Sequence, residues 1–203
     1  TVFAVLKHAK KRNDWACVAK WIDLLDPTLL SDAPMSKEDR IDGWSEQERW
    51  FNYKINSCLE NNQATTALEI CDGIQEKYQK HSRFFLRLRA LALRALKKPA
   101  ESMVIYRDLC SKGKTEWWLL HEYGSLLAET NAINESLTLF CKAALSCPKG
   151  SLAVSLYQDM GALFLVLQAK ETAYIHYSLA AAIRAENGWP RSSEIEAALK
   201  SIQ

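Results

Sequence analysis

The sequence predicts an all-α fold built from stacked antiparallel pairs of helices. Apolar residues recur at intervals of three and four along the 203-residue chain, which is the spacing that places side chains on one face of an α-helix. Turns of two or three residues separate these amphipathic segments, and such short turns join neighbouring helices into antiparallel hairpins. The chain holds seven Gly and five Pro, fewer turn residues than a sheet-rich fold needs.

A divergent first hairpin is predicted at 1–26, before the regular pattern begins. The interval 27–45 is the one long interruption of the helical pattern, where Pro34 and Gly43 indicate a loop that can hold one helical turn after Ser36. The helices of the first hairpin are predicted at Val2 to Lys11 and Asp14 to Leu25.

Two further hairpins are predicted at 46–80 and 82–112. The first of these opens with Ser45-Glu46-Gln47-Glu48, a capping box in which Ser45 and Glu48 satisfy backbone amides at a helix start. In the next hairpin Pro99 suits the first turn of a helix, because no backbone N–H is needed there.

Hairpins at 116–148 and 152–187 complete the predicted array, followed by a short helix at 193–203. This last segment begins with a second capping box, Ser193 and Glu196. Its single apolar face is typical of a C-terminal capping helix that covers the last hairpin of a repeat array.

The clearest repeat unit places large, small and aromatic residues at fixed positions. It is Leu120-x2-Tyr123-Gly124-x2-Leu127 followed by Ser136-x3-Phe140-x2-Ala143-x4-Pro148, and the next unit repeats it as Tyr157, Met160-Gly161, Phe164, Ala173, Tyr177 and Ala180. The small residues that open the second helices, which we call the marker residues, recur at spacings of 35, 34 and 37 and are Ala67, Ser102, Ser136 and Ala173. This pattern resembles the tetratricopeptide (TPR) repeat, whose period is about 34 residues.

The resemblance covers about residues 46 to 186 and implies a single repeat domain, a right-handed superhelical α-solenoid. Val18 is the expected marker of the first hairpin, 49 residues before Ala67. Small residues are expected to let paired helices approach closely, with Gly161 against Ala173 and Gly124 against Ser136.

Composition and charge remove several classes of protein. Hydrophobic residues at 48% and charged residues at 25% are values typical of a globular chain. The net charge of +2 does not by itself indicate nucleic acid or a membrane as a partner. No run approaches the length of a membrane-spanning helix. Because the chain begins at Thr1 without Met, we expect a fragment of a longer protein.

The six cysteines indicate neither a disulfide framework nor a metal site, since they form no C-x-x-C and no pair of histidines lies near them. Most fall in apolar helical stretches, so we expect reduced, buried thiols and a cytoplasmic location. They are Cys17, Cys58, Cys71, Cys110, Cys141 and Cys147.

The sequence contains no catalytic motif that we recognise. It lacks a Gly-rich phosphate loop, G-x-S-x-G and H-E-x-x-H, and its four histidines fall in different hairpins. We therefore expect a protein that is not an enzyme and that needs neither a cofactor nor a metal.

The resemblance places the first helix of each hairpin on the concave side, and we call this the first-helix face. Its candidate partner-binding residues form a polar, partly basic lining: Arg49, Asn52, Asn56, Arg83, Arg87, Arg94, Trp118, His121, Ser125 and Gln158. Such a lining suits an acidic or phosphate-bearing ligand, although a solvated face would have the same composition.

A basic stripe stands out on this face. Arg83, Arg87 and Arg94 fall within an arc of about 40° on one helix, and the segment 77–98 holds eight Lys or Arg with no Asp or Glu.

Protein-protein interaction is the predicted function: a peptide or a partner domain binds on the concave face. The basic residues of the lining favour an acidic partner. The alternative is a nucleic-acid-associated accessory module of a multidomain protein that uses the basic stripe for phosphates. TPR domains that clamp chaperone C-terminal tails use a set of Lys, Asn and Arg side chains, of which only Asn56 agrees here. That clamp is not expected, and neither is a membrane partner.

Overall fold

The computed structural model describes residues 2–34, 43–111 and 115–202. Within these ranges the regular structure is entirely helical, with eleven α-helices and no strand, so the predicted all-α class is confirmed. The helical turn considered after Ser36 lies outside the described residues. The α-helices are α1 (Val2–Lys11), α2 (Trp15–Ile22), α3 (Glu46–Glu60), α4 (Ala64–Ile74), α5 (Ser82–Ala95), α6 (Pro99–Ser111), α7 (Trp117–Glu129), α8 (Ile133–Ser146), α9 (Val154–Val166), α10 (Lys170–Glu186) and α11 (Ser193–Ile202).

The turn inside each helical hairpin has the same backbone design. One residue takes a left-handed conformation, with φ between 56° and 63°, and the next residue donates its amide hydrogen to the carbonyl five positions earlier. This is the Schellman ending of a helix, which satisfies carbonyl groups that the helix leaves open. The left-handed residues are Asn13, Asn62, Lys97, Asn131 and Gln168.

These turns fix the repeat register independently of the sequence pattern. Each left-handed residue precedes a fully buried residue by five positions, and in the first hairpin that residue is Val18. The other four are the marker residues, all at 0% exposure. The divergent first hairpin therefore has the same geometry as the others.

The chain divides into two compact units, Thr1–Ile105 and Tyr106–Gln203, with the boundary inside α6. In the first unit, one apolar cluster lies between α1, α2 and α3 and a second between α3, α4 and α5. Leu6, Ile22, Ile55 and Leu88 are among their most buried side chains.

In the second unit the core is formed by the α7/α8 and α9/α10 hairpins together with α11. Ile195 of α11 is 1% exposed and packs in the cluster that contains Tyr177 and Ile183 of α10. The segment predicted as a capping helix thus covers the last hairpin.

The glycines of the repeat units contact an aromatic ring instead of the small residue that we expected. A Cβ atom on Gly124 would lie 2.6 Å from Phe140 Cδ1, and one on Gly161 would lie 2.8 Å from Tyr177 Cδ2. The small side chains of Ser136 and Ala173 are not the nearest neighbours. The ring one turn further along the second helix fills the space that each glycine leaves.

The described part of the long loop is tied to the start of α3. Pro27–Leu29 form a short 3-10 helix, and the backbone amide of Gln47 donates to Ser31 O at 3.1 Å. The predicted capping box is present, because Ser45 Oγ accepts from the amide of Glu48 while the Glu48 carboxylate accepts from the amide of Ser45.

Candidate interaction surface

All ten candidate residues of the first-helix face are half-buried. Six of them belong to the first unit, on α3 and α5, and four belong to the second unit, on α7 and α9. Half-burial means that part of each stem packs against the protein while the polar end reaches solvent.

On α3 the two asparagines form a local pair. The amide nitrogen of Asn56 donates to the backbone carbonyl of Asn52 at 2.7 Å and to its side-chain oxygen at 2.9 Å. Because these residues are one helical turn apart, the interaction fixes the orientation of both amides on the surface. Both residues are predicted from the sequence, but the sequence does not show that they pair.

Next to this pair, two cations lie over two aromatic rings. The guanidinium carbon of Arg49 is 4.3 Å from the centroid of the Phe3 ring, and the Lys10 ammonium is 5.9 Å from the centroid of Tyr53. The two rings are 6.4 Å apart. Cation-π contacts of this kind hold long side chains in place. Only Arg49 was named from the sequence, because α1 was assigned to a divergent hairpin.

The positive charges of the first unit influence one another. Loss of surrounding water lowers the pKa of Lys10, and the nearby charge of Arg87 lowers it further. Burial also raises the pKa of Tyr53, against the opposing effect of Arg49. Lys10 of α1 and Arg87 of α5 therefore contribute to the same positive region of this unit.

The basic stripe is not a row of isolated cations. Arg83, Arg87 and Arg94 are all half-buried on α5, and each interacts with other residues of the protein. These arginines are therefore not unpartnered in the free protein.

In the second unit, side chains of α7 and α9 meet at one carboxylate. His121 Nε2 and Ser125 Oγ lie 2.8 Å and 3.0 Å from the same oxygen of Asp159, Oδ2. An ionised carboxylate only accepts hydrogen bonds, so Nε2 carries the hydrogen and the Ser125 hydroxyl is a donor. Asp159 stays 45% exposed at its side chain, while His121 is 14% exposed. The His121 N–H thus holds this accessible carboxylate in place, and the single Ser125 hydroxyl hydrogen is shared between the carboxylate and the backbone carbonyl of His121.

Although these are a Ser, a His and an Asp, their arrangement is not that of a catalytic triad. In a triad the His ring lies between the other two and accepts the Ser hydroxyl proton. Here the carboxylate lies between them, and the second contact of Ser125 Oγ is with the backbone carbonyl of His121 at 3.0 Å. The imidazole of His121 is therefore not placed to take the Ser125 proton.

Asp159 was missed by the sequence analysis, although its neighbour Gln158 was proposed. When the two repeat units are aligned on Gly124 and Gly161, His121 corresponds to Gln158 and Glu122 corresponds to Asp159. An acidic residue two positions before the repeat glycine was the available signal. The residue pattern along one helix does not show that Asp159 contacts the preceding repeat.

The cysteines are all free thiols, but they are not all buried. Cys58 and Cys71 are buried, Cys141 is exposed, and the other three are intermediate. The expectation of six buried thiols is therefore correct only for two. Among residues 2–34, 43–111 and 115–202, no group of His, Cys, Asp or Glu could hold a metal ion, and no described helix has the length and apolar character to cross a membrane.

Comparison with known proteins gives one family match and structural likenesses. The sequence profile of a family described as Domain of unknown function (DUF7017) matches residues 83–202. No curated protein matches the sequence.

Solved structures with a similar fold include two repeat proteins. One is described as MamA RS-1 ArsTM double mutant, with a TM-score of 0.60 at 13% identity over 76% of this chain and 82% of that one. The other is the C-terminal part of a TPR repeat-containing protein from Cytophaga hutchinsonii, with a TM-score of 0.58 at 15% identity over 75% of this chain. This chain spans 56% of that second structure. At such low identity the likeness shows the fold alone, a helical repeat of the α-solenoid class.

Proposed function

Since the chain belongs to the DUF7017 family and folds like helical-repeat scaffolds, we propose that it is a protein-protein interaction module. The first-helix face binds a peptide or a partner domain, and the module carries out no chemistry itself. We place this activity in the cytoplasm, where free thiols such as those of this chain stay reduced.

The observation that carries the proposal is the carboxylate of Asp159, which is accessible and held by His121 and Ser125. A fixed acceptor at the surface binds a donor group of a partner without the entropic cost of ordering a flexible side chain. A peptide supplies such donors in its backbone amides and in Lys or Arg side chains. Polar positions preorganised on helices are what a recognition surface needs.

The first unit has candidate residues of its own, and these carry positive charge. Lys10 and Arg49, each over an aromatic ring, suit acidic side chains of a partner. A peptide carries acidic groups as well as donor groups, so it suits the candidate residues of either unit. A nucleic-acid backbone is a poorer match, since its phosphates would meet the negative charge of Asp159.

The test uses short peptides selected on this chain from a displayed library of random linear sequences. Fluorescein-labelled copies are titrated by fluorescence polarisation against the wild type, Lys10→Gln and Asp159→Asn. We expect each substitution to weaken binding by about tenfold, the effect of losing one charge-assisted hydrogen bond. Lys142→Gln and Glu135→Gln, which remove exposed charges on the second helix α8, are the matched controls and should leave the affinity unchanged.

Salt dependence separates this function from nucleic-acid binding. A single-stranded RNA of mixed sequence is titrated at two salt concentrations in parallel with the peptides. Tight RNA binding that falls steeply with salt and is lost in Arg87→Glu would favour the accessory-module alternative. Equal peptide affinities in all the variants would exclude the first-helix face as the binding site.

A further inference from the structure

The helix α10 exposes an apolar stripe on the side that faces away from its hairpin partner. Ile175 is 62% exposed and Leu179 is 40% exposed, and Ala182 is exposed on the next turn. These positions are i, i+4 and i+7, which fall within an arc of about 60° on a helix. We call these three residues the α10 stripe. The hairpin core does not need them, because Ala173, Tyr177 and Ala180 of α10 fill that role.

A pocket adjoins the stripe at its C-terminal end. It has a volume of about 390 Å³ and lies between α10 and α11, within the size range of about 300–1,000 Å³ in which proteins bind ligands or side chains. Ala182 belongs to both the stripe and the pocket, so the apolar surface is continuous. The apolar lining consists of Ala181, Ala182, Ala185, Trp189, Ile195 and Leu199.

The charged side chains of the pocket rim have partners within the chain. The Arg184 guanidinium donates two hydrogen bonds to the Pro190 carbonyl, at 2.9 Å and 2.6 Å. Arg191 Nη1 lies 3.6 Å from Glu196 Oε1. The pocket is therefore an apolar depression whose rim carries one net positive charge, because Glu196 balances only one of Arg184 and Arg191.

Acidic residues bracket the stripe on the same side of α10. Glu171 lies one turn before Ile175, and Glu186 lies one turn after Ala182. They are about 22 Å apart at 1.5 Å per residue. Neither glutamate has an ion-pair partner among the residues that the structure describes. The surface thus has an apolar centre with a negative charge at each end.

We propose that the α10 stripe and its pocket bind an amphipathic helix of a partner protein whose apolar face is flanked by Lys or Arg. The apolar residues of that helix cover Ile175 and Leu179, and one large side chain enters the pocket beside Trp189. The basic residues meet Glu171 and Glu186. This site lies on a second helix and is separate from the first-helix face.

The charge pattern argues against a second copy of this chain as the occupant. Residues 171 and 186 are equidistant from the centre of the stripe, so an antiparallel pair of α10 helices would place Glu171 of one copy opposite Glu186 of the other. A parallel pair would place each glutamate opposite itself. Like charges facing one another across an interface disfavour association, whereas basic flanks on a different helix remove this repulsion.

A displayed library of helical peptides tests the proposal. Each peptide has about 18 residues, long enough to span both glutamates, with leucines fixed at i, i+4 and i+7 and random residues one turn before and after them. We expect selection on the 203-residue chain to enrich Lys and Arg at the random positions. Ile175→Glu and Leu179→Glu should each weaken the selected peptides by at least about tenfold, as for a central apolar contact. Leu145→Glu, at a position on α8 that is 90% exposed, is the matched control and should have no effect.

Charge reversal supplies a second readout. Glu171→Lys with Glu186→Lys should weaken the basic-flanked peptides by about five- to tenfold, the effect of two exposed ion pairs, and peptides with Glu at the flanks should then bind better. Circular dichroism checks that each variant folds. The proposal would be overturned if no peptide is enriched or if the enriched peptides lack basic flanks. It would also be overturned if Ile175→Glu and Leu179→Glu leave the affinity unchanged. Concentration-dependent dimers that Leu179→Glu abolishes would also overturn it, because a second copy would then occupy the stripe. Asp159→Asn should not affect these peptides, so the result is independent of the proposed function.

Discussion

Gly161 of α9 lies directly against the ring of Tyr177 of α10. A Cβ atom on Gly161 would be 2.8 Å from both Cδ2 and Cε2 of that ring, closer than carbon atoms approach without one of them moving. Gly124 has the same relationship to Phe140, at 2.6 Å and 2.7 Å. In both hairpins the aromatic ring comes four residues after the marker residue. The aromatic ring of the second helix occupies the space that the glycine of the first helix leaves by having no side chain.

We predict that Gly161→Ala destabilises the protein by about 1–3 kcal/mol, because the added methyl group overpacks the contact with Tyr177. The measurement is the free energy of unfolding in urea. Gly73→Ala is the matched control: Gly73 lies within α4, and a Cβ there would meet nothing within 4 Å. Removing a flexible residue from a helix should stabilise that variant by up to about 1 kcal/mol. Equal stabilities for the two variants would contradict the packing described here.

The parts of the fold that depend on local physics could be predicted from the sequence. The capping box at Ser45 and the proline at the start of α6 identify helix ends through backbone amides a few residues away. The marker residues reveal the repeat because every hairpin must bury a small side chain at that point. Each of these features involves residues that are near one another in the chain, so it can be predicted from a single sequence.

Contacts between helices were predicted less well. Gly124 was paired with Ser136 because both are small, but periodicity along one helix does not say which residue of the facing helix it meets. Asp159 was overlooked because its partners His121 and Ser125 lie on the helix of the preceding hairpin. The α10 stripe was overlooked for a related reason, since apolar residues around a whole helix do not show which of them the core leaves outside.

Glu48 and His81 form a buried pair in the first unit, and we predict that breaking it is costly. Glu48 Oε1 is 2.7 Å from His81 Nδ1, with side chains 8% and 7% exposed, while Glu48 Oε2 accepts from the Ser45 amide at 2.7 Å. Trp44 stacks on the imidazole with centroids 4.6 Å apart. Glu48→Ala removes both the cap and the partner of His81, so we expect a loss of about 3 kcal/mol.

The design of this experiment is a double-mutant cycle with His81→Phe, which keeps an aromatic ring against Trp44. His81→Phe leaves the Glu48 carboxylate without its buried partner and should also destabilise the protein. We expect the double variant to lose less than the sum of the two single losses, because each single change leaves one polar group unpaired. Additive losses in urea unfolding would show that the two side chains do not stabilise each other.

The raised pKa of the Cys71 thiol predicts that the stability of the protein depends on pH in the alkaline range. Burial, followed by the negative charge of Asp72, raises the pKa of this thiol from 9.0 to about 12. The folded protein therefore holds the thiol proton more tightly than the unfolded chain does. Between about pH 9 and pH 12 the free energy of unfolding should fall as pH rises, by up to about 1.4 kcal/mol per pH unit for one proton.

Cys71→Ala should reduce the slope of stability against pH in this range, whereas Cys141→Ala, at an exposed thiol, should leave it unchanged. The cavity that the first substitution creates lowers stability equally at every pH, so the comparison of slopes isolates the proton. A thiol reagent at pH 8 should label Cys141 quickly and Cys71 only on unfolding. Rapid labelling of Cys71 in the folded protein would contradict its burial.

The marker serines Ser102 and Ser136 are both fully buried, but within the described part of the chain only Ser102 has a hydrogen-bond partner. Ser102 Oγ donates to the carbonyl of Ala90 at 2.8 Å, whereas the Ser136 hydroxyl has no partner among the described residues. A buried polar group without a partner keeps the cost of its lost hydration, and a paired one recovers it. We predict that Ser102→Ala loses about 1 kcal/mol and that Ser136→Ala is neutral or stabilising by up to about 1 kcal/mol.

The gain in helix propensity is the same for both substitutions, so the difference between the two urea midpoints reports the hydrogen bond. If Ser136→Ala is as destabilising as Ser102→Ala, the Ser136 hydroxyl must have a partner, and a buried water molecule bridging it to a backbone carbonyl would be the first to look for.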